Sequence, residues 1–155
     1  MRKIITNSTP LIVLSALGQL ELLHHYFDEV IIPDAVWQEV VINGKNRPGA
    51  LEVRNCEWIR IQEVSDIIAV ETLHIYLGIG ESEAIILAKE LNLPLIIDDK
   101  AGRRTAKALD LSVTGTIGIL LKGSEDNLVN MNETVSGLIS IGFRFDKETM
   151  TKMFT

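Results

Sequence analysis

A single cysteine, Cys56, occurs among the 155 residues. It has no partner in the chain, which excludes an internal disulfide and a Cys-rich zinc site and fits a reducing, cytoplasmic setting. Long apolar runs are missing as well. The longest pieces, such as Val30-Ile31-Ile32 and Leu95-Ile96-Ile97, fall far short of the ~20 residues that cross a bilayer, so no membrane association is expected. The opening Met1-Arg2-Lys3-Ile4-Ile5-Thr6-Asn7 turns polar after Ile4 and Ile5, unlike a secretory leader. No repeat and no low-complexity tract is present. A Gly-x-Gly-x-x-Gly or phosphate-loop sequence is also lacking, which disfavours a nucleotide-cofactor enzyme. Ser8 and Ser15 have no histidine at motif spacing, so a serine hydrolase has no support. Positive charge is scarce: Lys and Arg total 15 against 21 Asp and Glu, for a net charge of -6. That balance argues against nucleic-acid binding by bulk electrostatics but accommodates a carboxylate cluster that holds cations.

What is present is apolar and regularly punctuated. Hydrophobic residues make up 46% and the mean hydropathy is +0.21, enough for one sizeable core. Short strands are predicted at Lys3-Thr6, Val30-Ile32, Trp58-Ile61, Pro94-Ile97 and Leu111-Val113. Between them the spacing predicts helices after Ser8, over Gln19-Tyr26, from Pro33-Asp34, over Ile67-Leu77, over Glu81-Asn92, over Arg103-Leu109 and over Gly115-Lys122. Ser8 is expected to cap the first helix, with Pro10 in its first turn and Gly18 past its end. Asn43 to Gly49 reads as a loop, and Gly78-Ile79-Gly80 as a helix breaker. From Asn127 onward, two amphipathic helices split by Gly142-Phe143-Arg144-Phe145 are expected. This alternation predicts an α/β fold, a three-layer α/β/α sandwich with a mainly parallel sheet and a helical C-terminal tail.

In such sheets chemistry collects at the carboxyl ends of the strands. Two polar clusters sit there, Asn7-Ser8-Thr9 and Asp98-Asp99. The aspartates read equally as a helix cap and dipole partner. Glu81, about 60° from its helix's apolar stripe, leans toward the buried face, while Glu83, about 100° away on the other side, should be nearer solvent. Glu39 taken alone reads as a solvated helix residue. Lys100, Arg103, Arg104 and Lys107 recur at i, i+3, i+4 and i+7 as one basic stripe, either a phosphate-contacting surface or an ordinary solvated face. His24-His25 reads as a surface helix end and His74 as structural.

Taken together, the order of these residues resembles the PIN-domain nucleases, and within them the VapC-type toxin branch. The likeness is carried by Ile4-Ile5-Thr6-Asn7-Ser8-Thr9-Pro10-Leu11-Ile12, Ile31-Ile32-Pro33-Asp34-Ala35-Val36-Trp37-Gln38-Glu39, Gly80-Glu81-Ser82-Glu83-Ala84 and Leu95-Ile96-Ile97-Asp98-Asp99-Lys100-Ala101-Gly102-Arg103. Thr114-Gly115-Thr116-Ile117-Gly118-Ile119-Leu120 and the helical tail are similar to a bacterial and archaeal subgroup of uncharacterised PIN proteins. The resemblance covers essentially the whole chain. It implies a nuclease domain over 1–123 with a helical extension over 124–155 packed on it. It further implies a ribonuclease using Mg²⁺ or Mn²⁺, with Glu39, Glu81 and Asp99 around the metal and Asp98 a neighbour or alternative ligand. Ser8 or Thr9 would be a supporting hydroxyl beside the RNA, and Thr116 a further polar contact. A small antitoxin partner and a homodimer are implied in the same way.

One letter departs from the family pattern: Asn7 stands where an Asp is expected. Asn keeps the shape and a carbonyl acceptor but loses the charge. At ~4 Å and an effective dielectric of 20, a unit charge is worth roughly 4 kcal/mol before desolvation. Metal affinity and rate should therefore fall. Three accounts stay open: loss of catalysis in a protein that still binds, an active site that manages with its remaining acids, or a substitution introduced to silence a toxic nuclease. The leading expectation is a PIN-type endoribonuclease toxin. The alternative is a catalytically silent PIN-fold module that binds nucleic acid or protein.

Overall fold

In the computed structural model, which describes residues 1–144, five short strands form one parallel sheet. They are β1 (Lys3–Thr6), β2 (Glu29–Ile32), β3 (Ile59–Ile61), β4 (Leu95–Ile96) and β5 (Val113–Thr114), in the order β3-β2-β1-β4-β5. The register pairs Ile4 with Val30, Ile5 with Leu95, Ile31 with Arg60 and Ile96 with Thr114. Central strands are buried on both faces, which is why they read as unbroken apolar runs instead of alternating ones.

The strand side chains divide between two cores. Ile4, Val30, Ile32 and Ile96 face one layer, built from α1 (Ser8–Ala16), α2 (Glu21–Tyr26), α3 (Asp34–Trp37), α4 (Ala50–Arg54), α8 (Thr116–Glu125) and α9 (Met131–Ser140). Ile5, Ile31, Leu95 and Ile97 face the other, built chiefly from α6 (Ile79–Leu91) and α7 (Lys100–Ala108), with α5 (Ile67–His74) packed outside α6. The three-layer expectation holds. α9 buries Thr134, Val135 and Leu138, the latter two in the first core. The second expected tail helix lies outside the described residues.

Local chemistry explains most element ends. Gly18 ends α1 at φ +68°, where its N–H reaches the Ser15 carbonyl and the Gln19 N–H reaches the Leu14 carbonyl. That pairing is a left-handed helix closure for which glycine carries no Cβ penalty. α3 runs directly into a π-helical turn, Gln38–Ile42, in which the Asn43 N–H donates to the Gln38 carbonyl at 2.7 Å. Three details differ from the sequence reading. α4 follows the 43–49 loop, where no helix was expected, because five residues are too few to display a helical period. Gly80 lies inside the first turn of α6, so it does not break a helix. Ser8 is the first residue of α1, and its hydroxyl leaves the helix terminus uncapped to reach Glu39.

Candidate active site

Chain direction across the sheet reverses between β1 and β4, since β2 and β3 extend one way and β4 and β5 the other. A crevice opens outside the carboxyl ends of strands at such a switch point. Asn7 leaves β1 there, and Asp98-Asp99 follow β4; the Asn7 N–H donates to the Ile96 carbonyl at 3.3 Å and ties the two exits together.

Asn7 is 3% exposed, and its side-chain Oδ1 has no hydrogen-bond partner among the described residues. Leaving a buried acceptor unpaired costs roughly 1–3 kcal/mol, so such an atom asks for a ligand. Glu39 arrives on the π turn, a distortion that frequently marks functional positions. Its Oε2 accepts the Ser8 hydroxyl at 2.6 Å. Its carboxylate also lies over Gly80 so closely that a Cβ there would stand 2.5 Å from Oε1. Gly80 is thus the floor on which Glu39 rests, a role that its sequence context, read as a breaker, did not reveal.

Glu81 occupies the first turn of α6, and its Oε2 accepts the Gly78 N–H at 3.2 Å. Burial raises its pKa above the ordinary carboxylate value; the Gly78 N–H opposes this, while the like charges of Asp99 and Glu39 add to it. Glu81 therefore feels the charge of both other acids. Asp99 caps α7 by accepting the Gly102 N–H at 2.7 Å. Among the described residues none of Glu39, Glu81 and Asp99 forms an ion pair with Lys or Arg.

Asp98 is organised differently. Its Oδ1 accepts the Thr116 N–H at 2.7 Å and its Oδ2 the Thr116 hydroxyl at 2.6 Å. Asp98 and Thr116 are thereby bonded to each other, and together they join the end of β4 to the start of α8. Arg103 is half-buried, with Nη1 donating to the Ile97 carbonyl at 3.0 Å, whereas Lys100, Arg104 and Lys107 are exposed on α7. Glu83 does not stand in solvent: it is half-buried and accepts the Ala35 N–H at 3.0 Å, holding the start of α3 against α6. That contact fixes the start of the segment that carries the π turn and Glu39.

By donor type these residues suit a hard divalent cation. The candidate donors are all oxygens: three carboxylates and the orphaned, neutral Oδ1 of Asn7. Among the described residues no group of three or more His, Cys, Asp or Glu side chains stands close enough together to hold a metal ion as placed. An open set suits Mg²⁺, which keeps several waters and uses few carboxylates.

The DUF3368 family model, described as a PIN domain, matches residues 3–155. The chain belongs to the PIN-domain family. PIN domains are generally metal-dependent nuclease folds, and such a domain suggests a nucleic-acid substrate. Among solved structures, this PIN domain is similar to a PilT N-terminus domain protein from the hyperthermophilic archaeon Sulfolobus solfataricus P2. The likeness has 20% identity and a TM-score of 0.48, and covers 79% of this chain and 92% of that one. No curated protein matches it. No helix among the described residues of this PIN domain is long and apolar enough to cross a membrane.

Proposed function

We propose that this PIN domain is an endoribonuclease dependent on Mg²⁺ or Mn²⁺, the toxin of a toxin–antitoxin pair of VapC type. What chiefly supports this reading is the unpaired, buried Oδ1 of Asn7 at the end of β1, together with Glu39, Glu81 and Asp99, which have no Lys or Arg partner among the described residues. Glu39, Glu81, Asp99 and Asn7 Oδ1 would hold the ion, which when bound activates water and stabilises charge on a scissile phosphodiester. Ser8 and Gly80 fix the Glu39 carboxylate from two sides, and Glu83 holds the helix that delivers it. Exposed Lys100, Arg104 and Lys107 supply phosphate contacts on one flank. The protein works in the cytoplasm as a homodimer restrained by a small antitoxin, with 124–155 as an extension of the nuclease domain.

Asn7 itself favours the second reading, a silent module that binds RNA or a protein without cutting. The deciding experiment compares the chain with Asn7→Asp in Mn²⁺ calorimetry and in RNA cleavage with Mg²⁺ or Mn²⁺. The added charge should tighten Mn²⁺ by at least tenfold and raise cleavage in parallel. Metal binding without cleavage in both proteins selects the silent module. No metal binding in either removes the site.

A further inference from the structure

The 43–54 segment carries a second feature. Its loop and α4 enclose a groove of about 450 Å³, walled by Val41, Pro48 and Leu51 and rimmed by Lys45, Arg47 and Arg54. None of these three cations has a side-chain hydrogen bond or ion pair among the described residues. The acid in the lining, Glu52, is already engaged, accepting the Gly49 N–H at 3.0 Å. Asn46 at φ +69° and Gly49 at φ +100° fold the loop tightly back on itself. The result is a concentrated positive surface on a chain whose net charge is -6.

Position gives this charge its meaning. The π turn and α4 pack on one face of the sheet through Val40, Val41 and Val53, while α7 packs on the opposite face through Ala106. Glu39, Glu81 and Asp99 belong to the carboxyl edge between those faces. A polyanion meeting the acids alone would be repelled, so it needs cations on its flanks. We infer that the Lys45–Arg47–Arg54 groove binds the phosphate backbone of single-stranded RNA. The inference rests on the nuclease reading only for the identity of the polyanion. Apolar walls suit ribose and base faces, and no aromatic side chain lines the groove, so binding there is tolerant of sequence.

The test measures binding of a fluorescein-labelled single-stranded RNA 12-mer in EDTA across a salt series. It compares the parent chain with K45A/R47A/R54A and with K100A/R104A/K107A, each checked for fold by circular dichroism. Each lost phosphate contact removes about 0.7 from the log–log salt slope, so the groove variant should lose about 2 and bind roughly 100-fold more weakly near 0.1 M salt. An unchanged slope with the groove variant overturns the proposal. So does loss of binding to a poly-glutamate peptide with RNA binding intact, since the groove would then serve an acidic protein. EDTA keeps binding separate from cleavage: RNA binding through the groove, with no cutting by either the parent chain or Asn7→Asp when Mg²⁺ or Mn²⁺ is supplied, would refute the nuclease reading and leave the groove standing.

Discussion

The hydroxyl of Ser8 donates to the carboxylate of Glu39 at 2.6 Å, joining the first turn of α1 to the π turn that follows α3. A short bond to a charged acceptor fixes both distance and direction, so Ser8 sets where the Glu39 oxygens point. Ser8→Ala should therefore loosen Mn²⁺ binding by about tenfold while costing ~1–2 kcal/mol of stability. Calorimetry and urea unfolding read the two effects separately. Unchanged metal affinity would show that the hydroxyl does not position Glu39 for a cation.

Gly80→Ala separates site geometry from stability more sharply. A Cβ would stand 2.5 Å from Glu39 Oε1, the far end of a flexible side chain that can swing away. Alanine is also the better helix residue, so the folded state should change by less than ~1 kcal/mol. The displaced carboxylate should cost Mn²⁺ affinity about tenfold, as losing a supporting contact does. Crystals or NMR shifts of the Glu39 carboxylate would report the displacement directly.

Glu81 predicts a dependence of metal-free stability on pH. Burial, with Asp99 and Glu39 nearby, raises its folded pKa above the ordinary 4.5, so the folded state binds the proton more tightly than the unfolded chain does. Its contribution is then fully present below the unfolded value and is lost as pH rises through the raised folded value. Glu81→Gln, whose carbonyl can still accept from Gly78, should flatten that decline and stabilise the protein at neutral pH. Urea midpoints from pH 4 to 8 in EDTA test this, and parallel curves for the two proteins would contradict it.

Cys56 should be a slow nucleophile in the folded protein. Burial, with Glu21 and Glu52 adding like charge, pushes its thiol up to about 11. Iodoacetamide at pH 8 should modify the native chain at least tenfold more slowly than the urea-unfolded chain. Equal rates would mean that the side chain is open to solvent.

The strands and most helices were legible because burial on both faces leaves an unbroken apolar run, and helices leave a 3.6-residue period. The acids proposed for the site were read from their order along the chain, by resemblance to the PIN-domain family. What escaped were relations between distant segments. A helical wheel placed Glu83 toward solvent because it contains no information about α3, whose first N–H groups need acceptors. Ser8 carries the signature of a cap, and the competing acceptor, Glu39, is 31 residues away. Gly80 looked like a breaker because close approach by another side chain cannot be read from its neighbours. Arg103 shares its stripe's spacing with Arg104, but the Ile97 carbonyl draws it inward.

The π turn at Gln38–Ile42 has one last consequence. It holds one residue more than the α-helical turn it interrupts, which offsets everything beyond it by about 100°. Glu39 sits at the entrance of that offset, and Lys45 and Arg47 sit past its exit. Deleting a single residue there would restore ordinary winding and rotate the start of the 43–49 loop by about 100° relative to Glu39. An inserted residue thus sets the direction in which the chain leaves Glu39 for its cationic loop, which makes this stretch sensitive to length as well as to composition.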